Sequence, residues 1–185
     1  MRKKLYIWQL SGFIFTSVFG TLLHFVYEWT NCSKFVAAFS AVNESTWEHL
    51  KLLFFPMFLF AVIQSFVFKE YKNFWCVKLA GILLSLITVP ILYYTYNGAF
   101  GKSPEWFNIA TFFIAAALTY ILETYLLKSG RTKCLPPLIA ISLIVLIGIL
   151  FVIYTYNTPK IPIFKDPLNK TYGLEKIPVN SILYC

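Results

Sequence analysis

The chain has 185 residues, 58% of them hydrophobic and only 13% charged, with a formal net charge of +8. A soluble domain keeps about a quarter of its residues charged, so this balance excludes an ordinary soluble fold and points to an integral membrane protein. In that setting the surplus of Lys and Arg is a topology signal and an attraction to anionic lipid, and nucleic acid is not an expected partner.

Five apolar segments lie at 5–27, 46–68, 75–96, 105–127 and 135–156. Each has the roughly 20 residues needed to cross about 30 Å of hydrocarbon. Backbone groups in lipid must be satisfied within the segment, so all five are expected to be helices. The expected fold class is all-α: a five-helix transmembrane bundle over 1–156, followed by a proline-rich extracytoplasmic tail at 157–185.

The first span follows Met1-Arg2-Lys3-Lys4 and superficially resembles a secretory signal. Its apolar stretch is too long and no small-residue cleavage site follows, so it is read as an uncleaved span. Within it Ser17, Thr21, His24 and Glu28 recur at helical intervals, with Gly20 beside them. That polar stripe is expected to face other helices, because lipid would leave it unsatisfied. The connection after it contains Phe35-Val36-Ala37-Ala38-Phe39, expected to be an interfacial turn of helix.

The second span opens on Val42-Asn43-Glu44-Ser45-Thr46-Trp47-Glu48-His49-Leu50-Lys51. Ser45 and Glu48 fit a capping box, the hydroxyl taking the Glu48 amide and the carboxylate returning to the Ser45 amide. Lys51 is placed to pair with Glu48 or to snorkel toward headgroups. Pro56 and Pro90 are expected to break the second and third helices near mid-membrane, freeing the carbonyls of Leu52 and Leu86. The fourth span carries Asn108, Thr111, Ala115, Thr119 and Glu123 as a stripe, with Asn108 and Glu123 its intramembrane polar residues. Glu123 is expected near the inner surface, either paired with Lys128 or Lys78 or serving ion coupling. Tyr94-Thr95-Tyr96-Asn97 and Tyr154-Thr155-Tyr156-Asn157 end the third and fifth spans, as two aromatic belts or as a faint duplicated unit. The tail has prolines at 159, 162, 167 and 178, so it is expected to be extended and ordered by docking, not helical.

Basic residues sort the connections. Arg2, Lys3 and Lys4, then Lys69, Lys72 and Lys78, then Lys128, Arg131 and Lys133 gather on one side, against Lys34 and Lys102 in the short loops of the other. The positive-inside rule places the N-terminus in the cytoplasm and the C-terminus outside. Cys32 and Cys185 then fall outside, where a bridge is topologically allowed, and Cys76 and Cys134 inside. The Asn31, Asn43 and Asn169 sequons matter only in a eukaryotic secretory pathway.

Capping leaves His49 unexplained, and it leaves the stripe on the first span unexplained. His24 lies about one turn below the end of its helix and His49 about one turn into the next, so the only two histidines are expected at similar depth on adjacent antiparallel helices. With Glu28, Glu44, Glu48 and Lys51 they make an expected outward-facing pocket. Three readings stay open. The pocket holds a small ligand, ion or lipid headgroup in a binding or transport-related module. Alternatively, a membrane enzyme uses a histidine and a carboxylate as acid and base on a lipid-like substrate, or holds Zn²⁺ through His24, Glu28 and His49; two histidines on different helices also suit a haem. In the third, the polar end merely fixes helix register and docks the tail. Glu48 and His49 are adjacent and diverge, so no H-E-x-x-H geometry exists. The lipid bilayer is the one partner implied outright; catalytic residues, cofactor and oligomeric state are not.

The Val42–Lys51 run, the His24–Trp29 segment before it and the Ile161-Pro162-Ile163-Phe164-Lys165-Asp166-Pro167…Tyr172-Gly173 tail resemble an uncharacterised family of small bacterial multi-pass membrane proteins. The likeness covers nearly the whole chain, and N-E-S-T-W-E-H is its most specific part. It implies a bacterial cytoplasmic membrane and carries over no catalytic residue.

Overall fold

The computed structural model describes residues 2–130 and 134–175. Among these residues the chain forms six α-helices and a 3-10 turn, with no named strand. In order they are α1 (Arg2–Trp29), α2 (Lys34–Ala37), α3 (Thr46–Val67), α4 (Phe74–Phe100), α5 (Glu105–Ser129), α6 (Pro137–Tyr156) and the turn Pro162–Phe164. Every helix except α2 is long and apolar enough to cross a membrane, so the chain is an all-helical protein with five membrane-capable helices. One end of the bundle carries the start of α1 and is called the amino-terminal end below; the other carries the loop between α1 and α3 and the tail.

α3 is the most enclosed of the five, with 56% of its apolar window buried against 22% for α1 and for α6. It lies among α1, α4 and α6, and α5 closes the ring between α4 and α1. α1 and α6 turn wide apolar faces outward, as helices bathed in lipid do: Ile7, Leu10, Ile14, Val18 and Leu22 are exposed along α1.

The face of α1 that meets its neighbours is not the expected one. Leu5, Gln9, Gly12, Thr16 and Gly20 are buried, whereas Thr21 and Glu28 are exposed and the Thr21 hydroxyl turns back to the Ser17 carbonyl at 2.8 Å. Lipid-embedded helices gain from close backbone approach, which small residues four apart permit, and Gly12-Thr16-Gly20 is such a row. At its centre the Thr16 and Tyr120 hydroxyls share a hydrogen bond of 2.7 Å.

The two prolines do not break their helices; α3 runs through Pro56 and α4 through Pro90. Pro56 still leaves the Leu52 carbonyl without its helical donor. Gly20 lies against that oxygen so closely that a Cβ there would stand 2.6 Å from it. α1 can approach the freed carbonyl only because residue 20 has no side chain.

Towards the amino-terminal end, Lys78 of α4 and Glu123 of α5 form a buried ion pair. Gly81 leaves room for the carboxylate, since a Cβ there would lie 2.7 Å from Glu123 Oε1. Lys128, the other partner considered for Glu123, instead donates to the Tyr6 hydroxyl at 2.6 Å. Asn108 is not inside the bundle: it is exposed on the first turn of α5, where its side-chain oxygen accepts from Ser103 Oγ at 2.8 Å. Cys76 and Cys134 are joined by a disulfide, Cα to Cα 5.8 Å, which ties the first turn of α4 to the segment entering α6. The distribution of basic residues puts these two cysteines on one side but does not by itself pair them. The bridge that topology allows from Cys32 needs Cys185, which lies outside the described residues.

The tail returns over the bundle. It is not wholly extended, because residues 162–164 make a 3-10 turn that drives Phe164 onto Trp47, ring centroids 4.5 Å apart, and onto Tyr154. Beyond it an isolated bridge pairs Lys165 with Tyr172, and the Asp166 carboxylate accepts from the amides of Leu168 and Asn169 to hold the turn between them.

Candidate functional site

Three segments meet at the tail end: the last turns of α1, the loop before α3, and the first turn of α3. In α1, the Ser40 hydroxyl accepts from the Tyr27 amide at 3.1 Å and donates to the Leu23 carbonyl, so it is inserted into the turn that carries His24. In the loop, Asn43 folds an Asx turn by accepting from the Ser45 amide at 2.9 Å, and its amide donates to the Gly173 carbonyl at 3.1 Å. The tail is thereby strapped to the residue next to Glu44. Ser45 caps α3, its hydroxyl accepting from the Glu48 amide at 3.4 Å.

The returning half of the capping box does not form. The Asx turn already satisfies the Ser45 amide, and the Glu48 carboxylate reaches further back to accept from Val42 N at 3.1 Å. It is fully enclosed with Lys51, N to O 2.5 Å. The ammonium also donates to the Ala37 carbonyl at 2.8 Å and to Thr155 Oγ1 at 3.0 Å. One buried pair therefore joins α2, α3 and α6, and it has no face left for solvent. Glu48 and Lys51 hold the loop; they do not line an open site.

His24, Glu44 and His49 come together beside that pair. His24 Nε2 is 3.5 Å from Glu44 Oε1, His49 Nε2 is 3.5 Å from Glu44 Oε2, and the imidazole centroids are 5.3 Å apart. One ligand atom from each residue falls within 4.8 Å of the others. The side chains are partly exposed, His24 at 30%, His49 at 31% and Glu44 at 41%, so solutes can reach them. His49 Nδ1 contacts the Ser45 carbonyl at 2.9 Å. The His24 hydrogen bond, aided by the charge of His49, holds the Glu44 carboxyl below the ordinary carboxylate range, although partial burial opposes it.

Of the six residues marked in the sequence, the structure gathers three in this cluster and buries Glu48 and Lys51 together. The sixth, Glu28, is exposed one turn from His24 and acts on it only through charge. The carboxylate between the two imidazoles is that of Glu44, not Glu28. Asp166 of the tail, which the sequence reading did not mark, also acts through charge on His49; no local pattern links a residue so far along the chain to the mouth of α3. Two grooves of about 470 and 370 Å³ lie elsewhere, on the flank of α1 with α5 and with α3, and none of the three clustered residues lines them.

A family model described as "Family of unknown function (DUF6512)" matches residues 1–174. No curated protein and no solved structure matches the chain. The chain belongs to this family.

Proposed function

We propose that this member of the family is a multi-pass protein of a bacterial cytoplasmic membrane, N-terminus inside and C-terminus outside, whose outer end binds a small ligand in a binding or transport-related role. The observation that carries the reading is the convergence of His24, Glu44 and His49 from three chain segments, with the His49 ring held at the Ser45 carbonyl, the backbone beside His24 and Glu44 held by Ser40 and Asn43, and all three side chains partly open to solvent. Structural side chains in a membrane bundle are enclosed, as Glu48 and Lys51 are. A cluster of three ionisable groups left half-open is better suited to contact something that comes and goes.

The test is thermal unfolding of the detergent-purified protein against a panel of small solutes: divalent cations, inorganic phosphate, simple carboxylates and simple amines. At least one should raise the transition temperature of the parent protein and lose most of that effect in His24→Ala, Glu44→Ala and His49→Ala. If every stabilising solute acts equally on the parent and on all three variants, the binding role falls and the cluster reduces to an anchor for the loop.

A further inference from the structure

We propose that His24, Glu44 and His49 form a binding site for a divalent transition-metal cation of the Zn²⁺ class, through the two Nε2 atoms and a Glu44 oxygen, with the remaining coordination position open to water or a solute. The inference rests on the ligand-binding reading above and names the ligand.

His49 shows why a cation belongs there. Its Nδ1 lies 2.9 Å from the Ser45 carbonyl, an acceptor without a proton to give, so Nδ1 must be the N–H donor. In the neutral ring Nε2 is then a bare lone pair, and it faces Glu44 Oε2, also an acceptor, at 3.5 Å. Two acceptors turned toward each other need a positive centre between them. A proton would supply it by making the ring an imidazolium, and a metal ion would supply it without changing the tautomer. A backbone carbonyl on the far nitrogen is also the arrangement that orients a metal-bound imidazole and raises its basicity.

Spacing and donor type point the same way. In tetrahedral Zn²⁺ sites, bonds of about 2.0–2.2 Å put neighbouring ligand atoms about 3.3–3.5 Å apart. Each Nε2 is 3.5 Å from a Glu44 oxygen, His24 from Oε1 and His49 from Oε2, and one ligand atom from each of the three residues lies within 4.8 Å of the others. Two imidazoles and one carboxylate match Zn²⁺, Co²⁺ or Ni²⁺, whereas Mg²⁺ and Ca²⁺ take oxygen ligands almost exclusively. Glu28 and Asp166 stand near enough to add negative potential without entering the ligand set.

The experiment is titration of the detergent-purified full chain, stripped with chelator, with Zn²⁺ by calorimetry and with Co²⁺ by visible absorption. The expected result is one Zn²⁺ per chain, Co²⁺ bands of the intense low-coordinate type, and at least about tenfold weaker binding in His24→Gln, Glu44→Gln and His49→Gln. Mg²⁺ should not compete, and Glu28→Gln, which removes only a nearby charge, should weaken binding far less than Glu44→Gln. Monodispersity and helical circular dichroism of each variant separate lost ligands from lost fold. Absence of Zn²⁺ binding, binding untouched by all three substitutions, or a loss in Glu28→Gln equal to that in Glu44→Gln each overturns the metal site. Phosphate or an amine stabilising the protein through the same three residues, with no Zn²⁺ binding, would overturn the metal and leave the ligand-binding reading standing.

Discussion

Two neighbouring carboxylates, Glu44 and Glu48, show how far burial alone separates chemical roles. Glu48 is enclosed with Lys51, and among the described residues each is the other's compensating charge. Removing one partner strands a buried ion, at a cost of about 3–5 kcal/mol, whereas replacing both by apolar groups of similar volume is far milder. Glu48→Gln and Lys51→Met should each lower the thermal transition sharply in detergent, and Glu48→Leu with Lys51→Met should recover most of the loss. The recovery stays incomplete because the Ala37 carbonyl and Thr155 lose a donor. Glu44 is open to water and responds to pH. Its carboxyl lies below the ordinary 4.5 in the folded protein, chiefly through the His24 hydrogen bond. A depressed folded value means the interaction contributes fully above the unfolded value and is lost as pH falls through the folded one. Thermal stability should therefore fall away on acidification below about pH 5, and Glu44→Gln should be flatter there. Parallel acid limbs in the two proteins would show that Glu44 carries none of it.

Helix existence and helix orientation are separate matters, and only the first was readable from residue order. Hydropathy located all five long helices because lipid forces each to satisfy its own backbone. Which face of α1 turns inward depends on what it meets, and the polar stripe misled where the small-residue row Gly12-Thr16-Gly20 was the better sign. The site divides the same way. Two histidines at equal depth follow from counting turns in from the helix ends, but choosing Glu44 over Glu28 required the Asx turn at Asn43 and the Ser40 hydroxyl in α1, neither visible without the fold. Nor did the repeated Tyr-Thr-Tyr-Asn predict a common role: Thr155 receives Lys51 inside the bundle, while Thr95 is exposed. Two glycines make the packing claim testable. Gly20→Ala would place a Cβ 2.6 Å from the Leu52 carbonyl and from the Phe112 ring, so α1 must shift away from α3. Gly98→Ala on α4 meets nothing within 4 Å and should gain up to about 1 kcal/mol from helix propensity. The first variant should melt clearly below the parent and the second at or above it; equal melting of the two would remove the close α1–α3 approach as a source of stability.

At the scale of the whole molecule two signals about sidedness pull against each other. Lys3, Lys4, Lys69, Lys72 and Lys128 gather at the amino-terminal end, which the positive-inside rule assigns to the cytoplasm. The disulfide between Cys76 and Cys134 lies at that same end, and cytoplasmic thiols are normally kept reduced. Charge bias acts during insertion and fixes orientation once, whereas a thiol pair held 5.8 Å apart at Cα can close whenever the surroundings oxidise it. The orientation proposed above follows the charge signal for that reason. Intact cells treated with a membrane-permeant maleimide before lysis should label both Cys76 and Cys134, and air-exposed purified protein should label neither until reduced. A single cysteine introduced at Lys102, in a background where the native four are serine, should react with an impermeant maleimide from outside. If the bridge is instead already closed in living cells and residue 102 is shielded, the bundle is inverted: the His24–Glu44–His49 cluster then faces the cytoplasm, and the pool of cations and solutes from which it draws its ligand is the cytosolic one.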